Sequence, residues 1–322
     1  VYFLGLKPKS KSLSGLRTKQ ELFLTDNNNS NPMIGAIIGD IAGSRFEFDN
    51  YRNTDFEIFH RESFFTDDTV CTIAIAEYLM NVLEKGEHSH EKVVAKLRKW
   101  YLKYPHMSYG TSYLRWIHGY KAGDPESYKP YNSYGNGAAM RVSAVGDLFG
   151  TKEDVLEMAK FVTEVSHNHP EGIKGAQATA IAQWMARQGS SKEQIRTAIE
   201  SEFGYNLQFS CDDIRSTYQF NETCQETVPQ AIVAFLDSNS FEDAIRLAVS
   251  VGGDSDTLAA ITGGIAEAYY QQIPEWMLLE IKKKLSVDVN RTLINFYSLL
   301  NKQNIYPEIC SRIVKLLSAE QG

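Results

Sequence analysis

The sequence predicts an all-α protein, and the spacing of its apolar residues is the main reason. Apolar side chains recur at helical spacing in ten segments, at residues 70–83, 91–104, 153–165, 174–187, 192–203, 227–236, 241–249, 257–270, 274–285 and 289–300. Gly, Pro, Asn and Asp separate these segments, as they commonly do at helix ends. Alternating patterns typical of strands are scarce, and residues 56–59 are the best of a weak set.

Composition limits the class of protein. With 322 residues, of which 43% are hydrophobic and 23% charged, the chain is long enough to bury a large core. We expect one domain from residue 33 to residue 322. The net charge of −7 argues against nucleic acid as a partner, and no apolar stretch approaches the length of a membrane span. The four cysteines have no zinc-ligand spacing, so we expect reduced thiols in a cytoplasmic protein. We also expect a monomer.

Residues 1–32 differ in composition from the rest of the chain. They carry five basic and two acidic residues, a net charge of +3 against −10 for the remainder, and they are rich in Ser and Asn. This composition is typical of a mobile arm or a leader. A sharper hypothesis is a basic arm that binds an acidic partner or folds back onto the body.

The domain begins with a glycine-rich segment. Gly35, Gly39 and Gly43 recur every four residues, which on a helix makes one smooth stripe for close packing against a second helix. No dinucleotide-binding fingerprint fits the spacing. Packing explains the glycines but not Glu47, which ends the segment with a free carboxylate.

A pair of aspartates precedes the next apolar run, in the sequence Thr66-Asp67-Asp68-Thr69. Thr and Asp are preferred helix caps, and acidic residues in the first turn complement the helix dipole. Taken alone, this sequence indicates capping. Because consecutive side chains at a helix start can point in different directions, one can cap the helix while its neighbour binds a metal ion.

A second acidic cluster, Asp254-Ser255-Asp256-Thr257, also precedes an apolar run. An EF-hand loop does not fit, because its acidic twelfth position would be Ile265. A haloacid-dehalogenase-type phosphatase would place two such aspartates at the end of a buried strand, but Gly252-Gly253 intervenes. The glycine pair favours a backbone that closely approaches a ligand.

The two acidic clusters have a joint interpretation. Four carboxylates directed at one partly buried point would repel one another strongly, so cations would have to lie between them. Oxygen ligands of this kind are those that hard divalent cations prefer. The sequence therefore suggests a metal site formed by two helix N-termini.

A loop of small residues and two histidines complete the candidate features. The loop is Ser133-Tyr134-Gly135-Asn136-Gly137-Ala138-Ala139-Met140-Arg141. Such loops bind phosphates through backbone N–H groups, although Asn-Gly is also an ordinary turn. His167 and His169 lack a third zinc ligand nearby, which favours a pocket-lining or structural role.

Five of these motifs follow one another along the chain in the order found in the ADP-ribosylglycohydrolase family, and the sequence therefore resembles that family. The family includes the dinitrogenase reductase-activating glycohydrolase and the mammalian ADP-ribosylhydrolases. The resemblance runs from about residue 33 to about residue 270 and implies a compact orthogonal multi-helix domain with two central Mg²⁺ (or Mn²⁺) ions. Residues 1–32 have no counterpart in the usual family pattern. The motifs are Gly39-Asp40 with Gly43-Ser44 and Glu47, then Thr66-Asp67-Asp68, the loop at residues 135–141, His167, and Gly253-Asp254-Ser255-Asp256-Thr257.

The resemblance also implies roles for individual residues. The metal ligands would be Thr66, Asp67, Asp68, Asp254, Asp256 and Thr257. The catalytic carboxylate would be Glu47, Asp67 or Asp68. The pyrophosphate and distal ribose would contact the loop, and His167 would line the pocket; the loop residues are Ser133, Tyr134, Gly135, Asn136, Gly137, Ala138 and Met140.

The implied reaction is hydrolysis of the glycosidic bond that joins ADP-ribose to a modified protein, through an oxocarbenium-like transition state. The ions would bind the ribose 2′- and 3′-hydroxyls, and a carboxylate would activate water or assist the leaving group. The motifs are shared by hydrolases of arginine-, serine- and acetyl-linked ADP-ribose. We expect the arginine linkage.

A function of a different class is also open. The basic arm would bind a mono-ADP-ribosyltransferase toxin, and the chain would act as an immunity protein with or without hydrolysis. The motivation is the opposite charge of residues 1–32 and their absence from the family pattern.

Overall fold

The computed structural model describes residues 33–86, 88–302 and 307–318. Within these ranges the chain forms fifteen α-helices, three short 3₁₀ segments and no β-strand, and an isolated β-bridge joins Gly135 to Thr223. The all-α prediction is confirmed. The basic arm at residues 1–32 lies outside the described residues.

The helices follow one another with short connections. They are α1 Ile34–Gly43, α2 Asp67–Lys85, α3 His90–Lys103, α4 Thr111–Gly119, α5 Ser143–Leu148, α6 Lys152–Thr163, α7 Pro170–Arg187, α8 Lys192–Phe203, α9 Cys211–Arg215, α10 Cys224–Asp237, α11 Phe241–Ser250, α12 Ser255–Tyr270, α13 Glu275–Lys284, α14 Val287–Lys302 and α15 Pro307–Ser318. The 3₁₀ segments are Ser44–Phe46, Pro125–Tyr128 and Asn136–Ala138.

All ten segments with helical periodicity lie in helices of the structure. The ten segments did not include α1 or α15. They also did not include the short helices α4, α5 and α9, because one or two turns contain too few apolar positions to define a period. Residues 56–59 form irregular chain. Phe56, Ile58 and Phe59 are buried there, so the apolar pattern of this segment reflects burial of a loop.

The glycine stripe of α1 packs directly on α12. A Cβ atom at Gly39 would lie 1.9 Å from the carbonyl oxygen of Ala259, and one at Gly43 would lie 2.4 Å from that of Ser255. The two backbones are therefore in contact with no side chain between them. This confirms that the stripe serves helix packing.

Helix α12 lies at the centre of the described fold. Its residues 255–268 are all buried, as is the whole of α1, and helices with no exposed face occur only in the interior of a protein. Besides α1, the helices α7, α10 and α11 pack on α12, while α3 and α14 pack on α2. This arrangement brings the end of α1 and the beginnings of α2 and α12 together.

Two smaller expectations can be compared with the structure. Cys71, Cys211 and Cys224 are buried free thiols, as expected for a chain without a disulfide framework. Among the described helices, none combines the length and the hydropathy that crossing a bilayer requires.

Candidate metal centre and substrate cavity

Three helix ends direct carboxylates at one point. Glu47 follows the 3₁₀ turn after α1, and Asp254 and Asp256 begin α12. One carboxylate oxygen of each lies within 4.8 Å of the others. From the start of α2, Asp68 Oδ2 accepts a hydrogen bond from Thr257 Oγ1 at 3.2 Å. The two acidic clusters of the sequence are therefore adjacent in space.

The cap of α2 comes from a side chain other than those of the aspartate pair. At the start of α2, Thr66 Oγ1 accepts a hydrogen bond from the backbone N–H of Asp68 at 3.3 Å. Neither carboxylate of the aspartate pair has to cap α2. At the start of α12, Asp254 makes no side-chain capping bond, and its Oδ2 accepts instead from Asn136 Nδ2 at 2.6 Å. Asp256 Oδ1 does accept from the backbone N–H of Thr257 in its own helix, at 2.9 Å. All four aspartates line the cavity described below.

Asp40 is a buried residue of this site to which the sequence analysis gave no role. It is fully buried in α1 and accepts hydrogen bonds from the backbone N–H groups of Thr66, at 2.9 Å, and Thr69, at 3.0 Å. The hydroxyls of both threonines also donate to it. These bonds anchor the start of α2 to α1 and so position the aspartate pair. In the sequence, the indication that Asp40 belongs to the site was its position beside Gly39 in the first motif.

The electrostatics of the cluster favour a bound cation. Burial, followed by the charges of neighbouring carboxylates, raises the pKa of Asp67, Asp68 and Asp256 well above the usual value. Burial and then the charge of Asp254 raise the pKa of Glu47 to about 7. Such shifts mean that the carboxylates destabilise one another when ionised. A divalent cation between them would relieve this repulsion.

One buried oxygen also points to a ligand. Asp68 Oδ1 is buried and has no hydrogen-bond partner among the described residues. A buried carboxylate oxygen without a partner is costly. Together with the purely oxygen donor set, this orphan oxygen shows that the residues fit a hard divalent cation such as Mg²⁺ or Mn²⁺.

The acidic cluster opens into a cavity of about 780 Å³. Thr66 and Ala138 do not line it: the Thr66 hydroxyl donates to Asp40 at 2.8 Å, and Ala138 is fully buried. The other predicted site residues do line it, and they are Glu47, Asp67, Asp68, Ser133, Tyr134, Gly135, Asn136, Gly137, Met140, His167, Asp254, Asp256 and Thr257.

The small-residue loop is tied to both α10 and the acidic cluster. The backbone N–H of Asn136 donates to the carbonyl of Glu222 at 2.7 Å, and that of Cys224 donates to the carbonyl of Tyr134 at 3.0 Å. The Asn136 side chain bonds Thr227 and Asp254. The loop is therefore held directly against the acidic cluster.

His167 faces the loop as a neutral ring. Its Nδ1 lies 2.8 Å from Ser166 Oγ, which accepts a hydrogen bond from Arg141 at 2.8 Å. Because a guanidinium only donates, Ser166 Oγ can donate its own proton to Nδ1, an arrangement in which the imidazole proton is on Nε2. Burial and the charge of Arg141 hold the pKa of His167 well below its usual value. The Nε2 side faces Gly137, where an added Cβ would lie 3.3 Å away.

The glycine pair before α12 has a different role from the predicted one. Gly252 and Gly253 have φ values of 79° and 72°, a left-handed conformation that favours glycine. The close neighbours are the protein's own Arg52 and Tyr218: a Cβ at Gly253 would lie 2.5 Å from Tyr218 Cε1. The pair therefore shapes the turn into α12, and its close approach is to protein rather than to a ligand.

Comparisons with known proteins agree with this fold and cavity. The family model described as ADP-ribosylglycohydrolase matches residues 32–304. ADP-ribosylhydrolase ARH3 of Mus musculus is 26% identical, over 76% of this chain and 84% of that protein. ADP-ribosylarginine hydrolase Tri1 of Pseudomonas putida (strain GB-1) is 26% identical, over 76% of this chain and 72% of that protein.

A solved structure shows the same fold. The structure of an "ADP-ribosylglycohydrolase-related protein complex" superposes with a TM-score of 0.62 at 22% identity, and the match covers 94% of this chain and 99% of that one. The resemblance read from five motifs is thus confirmed over most of the length. The chain belongs to the ADP-ribosylglycohydrolase family.

Proposed function

We propose that the protein is a metal-dependent hydrolase that releases ADP-ribose from modified protein side chains, and from arginine in particular. The observation that carries this proposal is the convergence of Glu47 and the two distant aspartate clusters on one cavity. Family membership supports it, because the matched family is that of the ADP-ribosylglycohydrolases.

The acidic cluster would hold two Mg²⁺ (or Mn²⁺) ions. Their ligands would be Asp67, Asp68, Asp254, Asp256 and Thr257, all of which line the cavity. Thr66 Oγ1 donates to Asp40 and accepts from Asp68, which leaves it one lone pair for an ion. When bound, the ions would orient the ribose hydroxyls and stabilise negative charge as Lewis acids.

The small-residue loop beside the acidic cluster would hold the ADP portion. The loop lines the cavity with small residues such as Ser133, Gly135 and Gly137, and loops of small residues bind phosphate oxygens. His167, with its proton on Nε2, would donate a hydrogen bond to the same group. Tyr134, whose ring is 46% exposed, is available for stacking.

The chemical step requires one water molecule and one carboxylate. The bond between ribose C1″ and the guanidine nitrogen breaks, and the water oxygen forms the new bond to C1″. The water gives a proton to Glu47, Asp67 or Asp68, and the departing guanidine takes up a proton to become free arginine. Glu47 is our first choice, because Ser108 donates a hydrogen bond to its Oε2 at 3.1 Å and holds it at the cavity surface.

The arginine linkage has two supports. The name of the relative from Pseudomonas putida specifies an ADP-ribosylarginine hydrolase. In addition, carboxylates of Glu47 and Glu222 line the cavity of this chain, and carboxylates are the natural partners of a guanidinium. Both supports concern the leaving group rather than the ADP portion.

A panel of substrates tests the proposal. Release of ADP-ribose would be measured from an arginine-linked peptide, a serine-linked peptide and O-acetyl-ADP-ribose, each with Mg²⁺ and with EDTA. We expect release from the arginine-linked peptide with Mg²⁺ and none with EDTA. Cleavage of only the other substrates would reject the arginine linkage, and activity unaffected by EDTA would reject the metal.

Variants test the site itself. Asp67→Ala and Asp256→Ala should abolish release while circular dichroism shows the helical content unchanged. Asp212→Ala is the matched control, since this side chain is 83% exposed and lies outside the cavity. Full activity in both site variants would show that the carboxylates are not part of the reaction centre.

A further inference from the structure

Two exposed phenylalanines meet at the mouth of the cavity. Phe48 is 75% exposed and Phe220 is 37% exposed, and their ring centroids are 5.5 Å apart. Phe48 lines the cavity and directly follows Glu47. This pair, which we call the aromatic rim, therefore lies on the metal-binding side of the cavity. Its rings have apolar faces available for a ligand.

The backbone beneath the aromatic rim is held by hydrogen bonds. The guanidinium of Arg52 donates to the carbonyl oxygens of Val251 and Tyr218. Asn50 Oδ1 accepts from the backbone N–H of Gly253 at 3.0 Å. The chain around Phe48, the chain before Phe220 and the turn into α12 are thus joined, so the rings sit on a fixed support.

The charge around the aromatic rim is negative. The exposed side chain of Glu222 lines the cavity, and its carbonyl is fixed by Asn136 N–H at 2.7 Å. Glu47 is the second carboxylate on this side. The positive charge of Arg52 is engaged by backbone carbonyls, and Arg141, the basic side chain among the described residues of the cavity wall, is fully buried.

The chemistry of the reaction decides which part of the substrate meets this rim. The ribose carbon C1″ must lie at the metal centre, with the ADP portion extending towards the loop at residues 133–140. The side chain bonded to C1″ then leaves past Glu47 and the aromatic rim. A guanidinium is planar and always charged, stacks on aromatic rings and pairs with carboxylates. A serine side chain or an acetyl group offers neither interaction.

We propose that Phe48, Phe220 and Glu222 bind the guanidinium of the modified arginine and thereby select arginine-linked ADP-ribose. This inference rests on the proposed hydrolase function and assigns its linkage preference to named residues. Phe48 and Phe220 supply stacking faces, and Glu222 supplies charge. The metal centre and the loop serve every linkage alike, so the rim acts on specificity and not on the chemical step.

The test compares two substrates across variants that separate ring, bulk and charge. The variants are Phe220→Leu, which keeps apolar bulk but loses the ring, Phe220→Tyr, which keeps the ring, Phe48→Ala and Glu222→Gln. Trp276→Leu is the control, because Trp276 is 44% exposed but lies outside the cavity. KM and kcat would be measured with an arginine-linked peptide and with O-acetyl-ADP-ribose, which has no guanidinium.

The expected result is selective. Phe220→Leu and Phe48→Ala should each raise KM for the arginine-linked peptide about tenfold, the scale of one partly desolvated cation–π contact. Glu222→Gln should raise KM for the same peptide about threefold, the scale of one exposed ion pair. KM for O-acetyl-ADP-ribose should change less than about twofold, and Phe220→Tyr should behave as wild type.

Other results overturn the inference in distinguishable ways. Suppose that wild type cleaves the arginine-linked peptide, but that the variants raise KM for both substrates equally or for neither. The aromatic rim then does not select the linkage, while the hydrolase function stands. If wild type cleaves only O-acetyl-ADP-ribose or only a serine-linked peptide, the arginine linkage and the rim's role both fail. If wild type cleaves none of the substrates with Mg²⁺, the proposed function itself fails.

Discussion

Asp68 and Thr257 are 189 positions apart in the chain, yet Asp68 Oδ2 and Thr257 Oγ1 form a hydrogen bond of 3.2 Å. The bond joins the first turns of α2 and α12. It satisfies one carboxylate oxygen, while Asp68 Oδ1 is buried and has no partner among the residues that the structure describes. Half of this carboxylate is therefore structural, and the other half is available to a ligand.

Asp68→Asn should weaken binding of Mn²⁺ by about two orders of magnitude, the scale expected when one charge of a buried ionic cluster is removed. The amide keeps the size of the side chain, so the fold should be retained. Isothermal titration calorimetry measures the affinity, with Asp212→Asn as an exposed control. An unchanged affinity would mean that the orphan oxygen does not contact an ion.

The metal-free protein should become less stable as the pH rises from about 4 to about 7. Burial raises the pKa of Glu47 from 4.5 to about 7 and that of Asp40 from 3.8 to about 6. In this window the folded state holds more protons than the unfolded state, so the free energy of unfolding falls as pH rises.

Bound Mg²⁺ would take the place of those protons. Its stabilising effect should therefore be larger at pH 8 than at pH 5. The measurement is the difference in Tm between MgCl₂ and EDTA at each pH. An equal difference at both values would contradict a site built from carboxylates with raised pKa values.

Gly39→Ala should destabilise the protein by about 3 kcal/mol or more, because its new Cβ would lie 1.9 Å from the Ala259 carbonyl and must push two helices apart. Gly119→Ala is the control: its Cβ would meet Ser127 O at an ordinary 3.6 Å. Urea unfolding gives both values. Equal stability of the two variants would show that α1 and α12 can separate without cost.

We expect His167 to be neutral with its proton on Nε2, because Ser166 accepts a hydrogen bond from Arg141 and can donate its own proton to Nδ1. Nitrogen NMR of labelled His167 should show this tautomer in wild type and a mixture of tautomers in Ser166→Ala. KM for ADP-ribose substrates should rise about tenfold in the variant, because the donor is no longer oriented. Ser201→Ala, an exposed serine on α8, should change neither reading. A proton on Nδ1 in wild type would reject the assignment.

Removal of residues 1–32 should leave hydrolysis of an arginine-linked peptide unchanged, because the family match begins at residue 32. If the basic segment is a separate binding element, the truncated protein should lose affinity for a mono-ADP-ribosyltransferase, as measured by surface plasmon resonance. Equal affinity of both proteins for the transferase would reject the arm hypothesis.

Much of the fold and the site could be predicted from local sequence. Helical periodicity predicted each of the longer helices between α2 and α14. The spacing of Gly35, Gly39 and Gly43 predicted the close packing of α1 on a second helix. The two aspartate clusters could be placed at helix starts because Thr and Asp carry both capping and metal-binding chemistry.

The remaining features depend on contacts that local sequence does not contain. Asp40 acts through Thr66 and Thr69, which lie on the next helix. Glu222 lines the cavity from a loop far from the other motifs, and Phe220 on the same loop contacts Phe48. An exposed Phe has no distinguishing pattern along the chain. The direction of the Gly252-Gly253 turn follows from Tyr218, which packs against it.

The contact between α1 and α12 limits which substitutions the centre of the protein can accept. Because backbone meets backbone at Gly39 and Gly43, no side chain there can be enlarged or trimmed to adjust the spacing. The same two helices carry Asp40 and Asp256, and Glu47 follows α1 directly. A substitution that moved α1 relative to α12 would therefore also move the carboxylates of the acidic cluster, whereas a substitution in the loops at the cavity mouth would not.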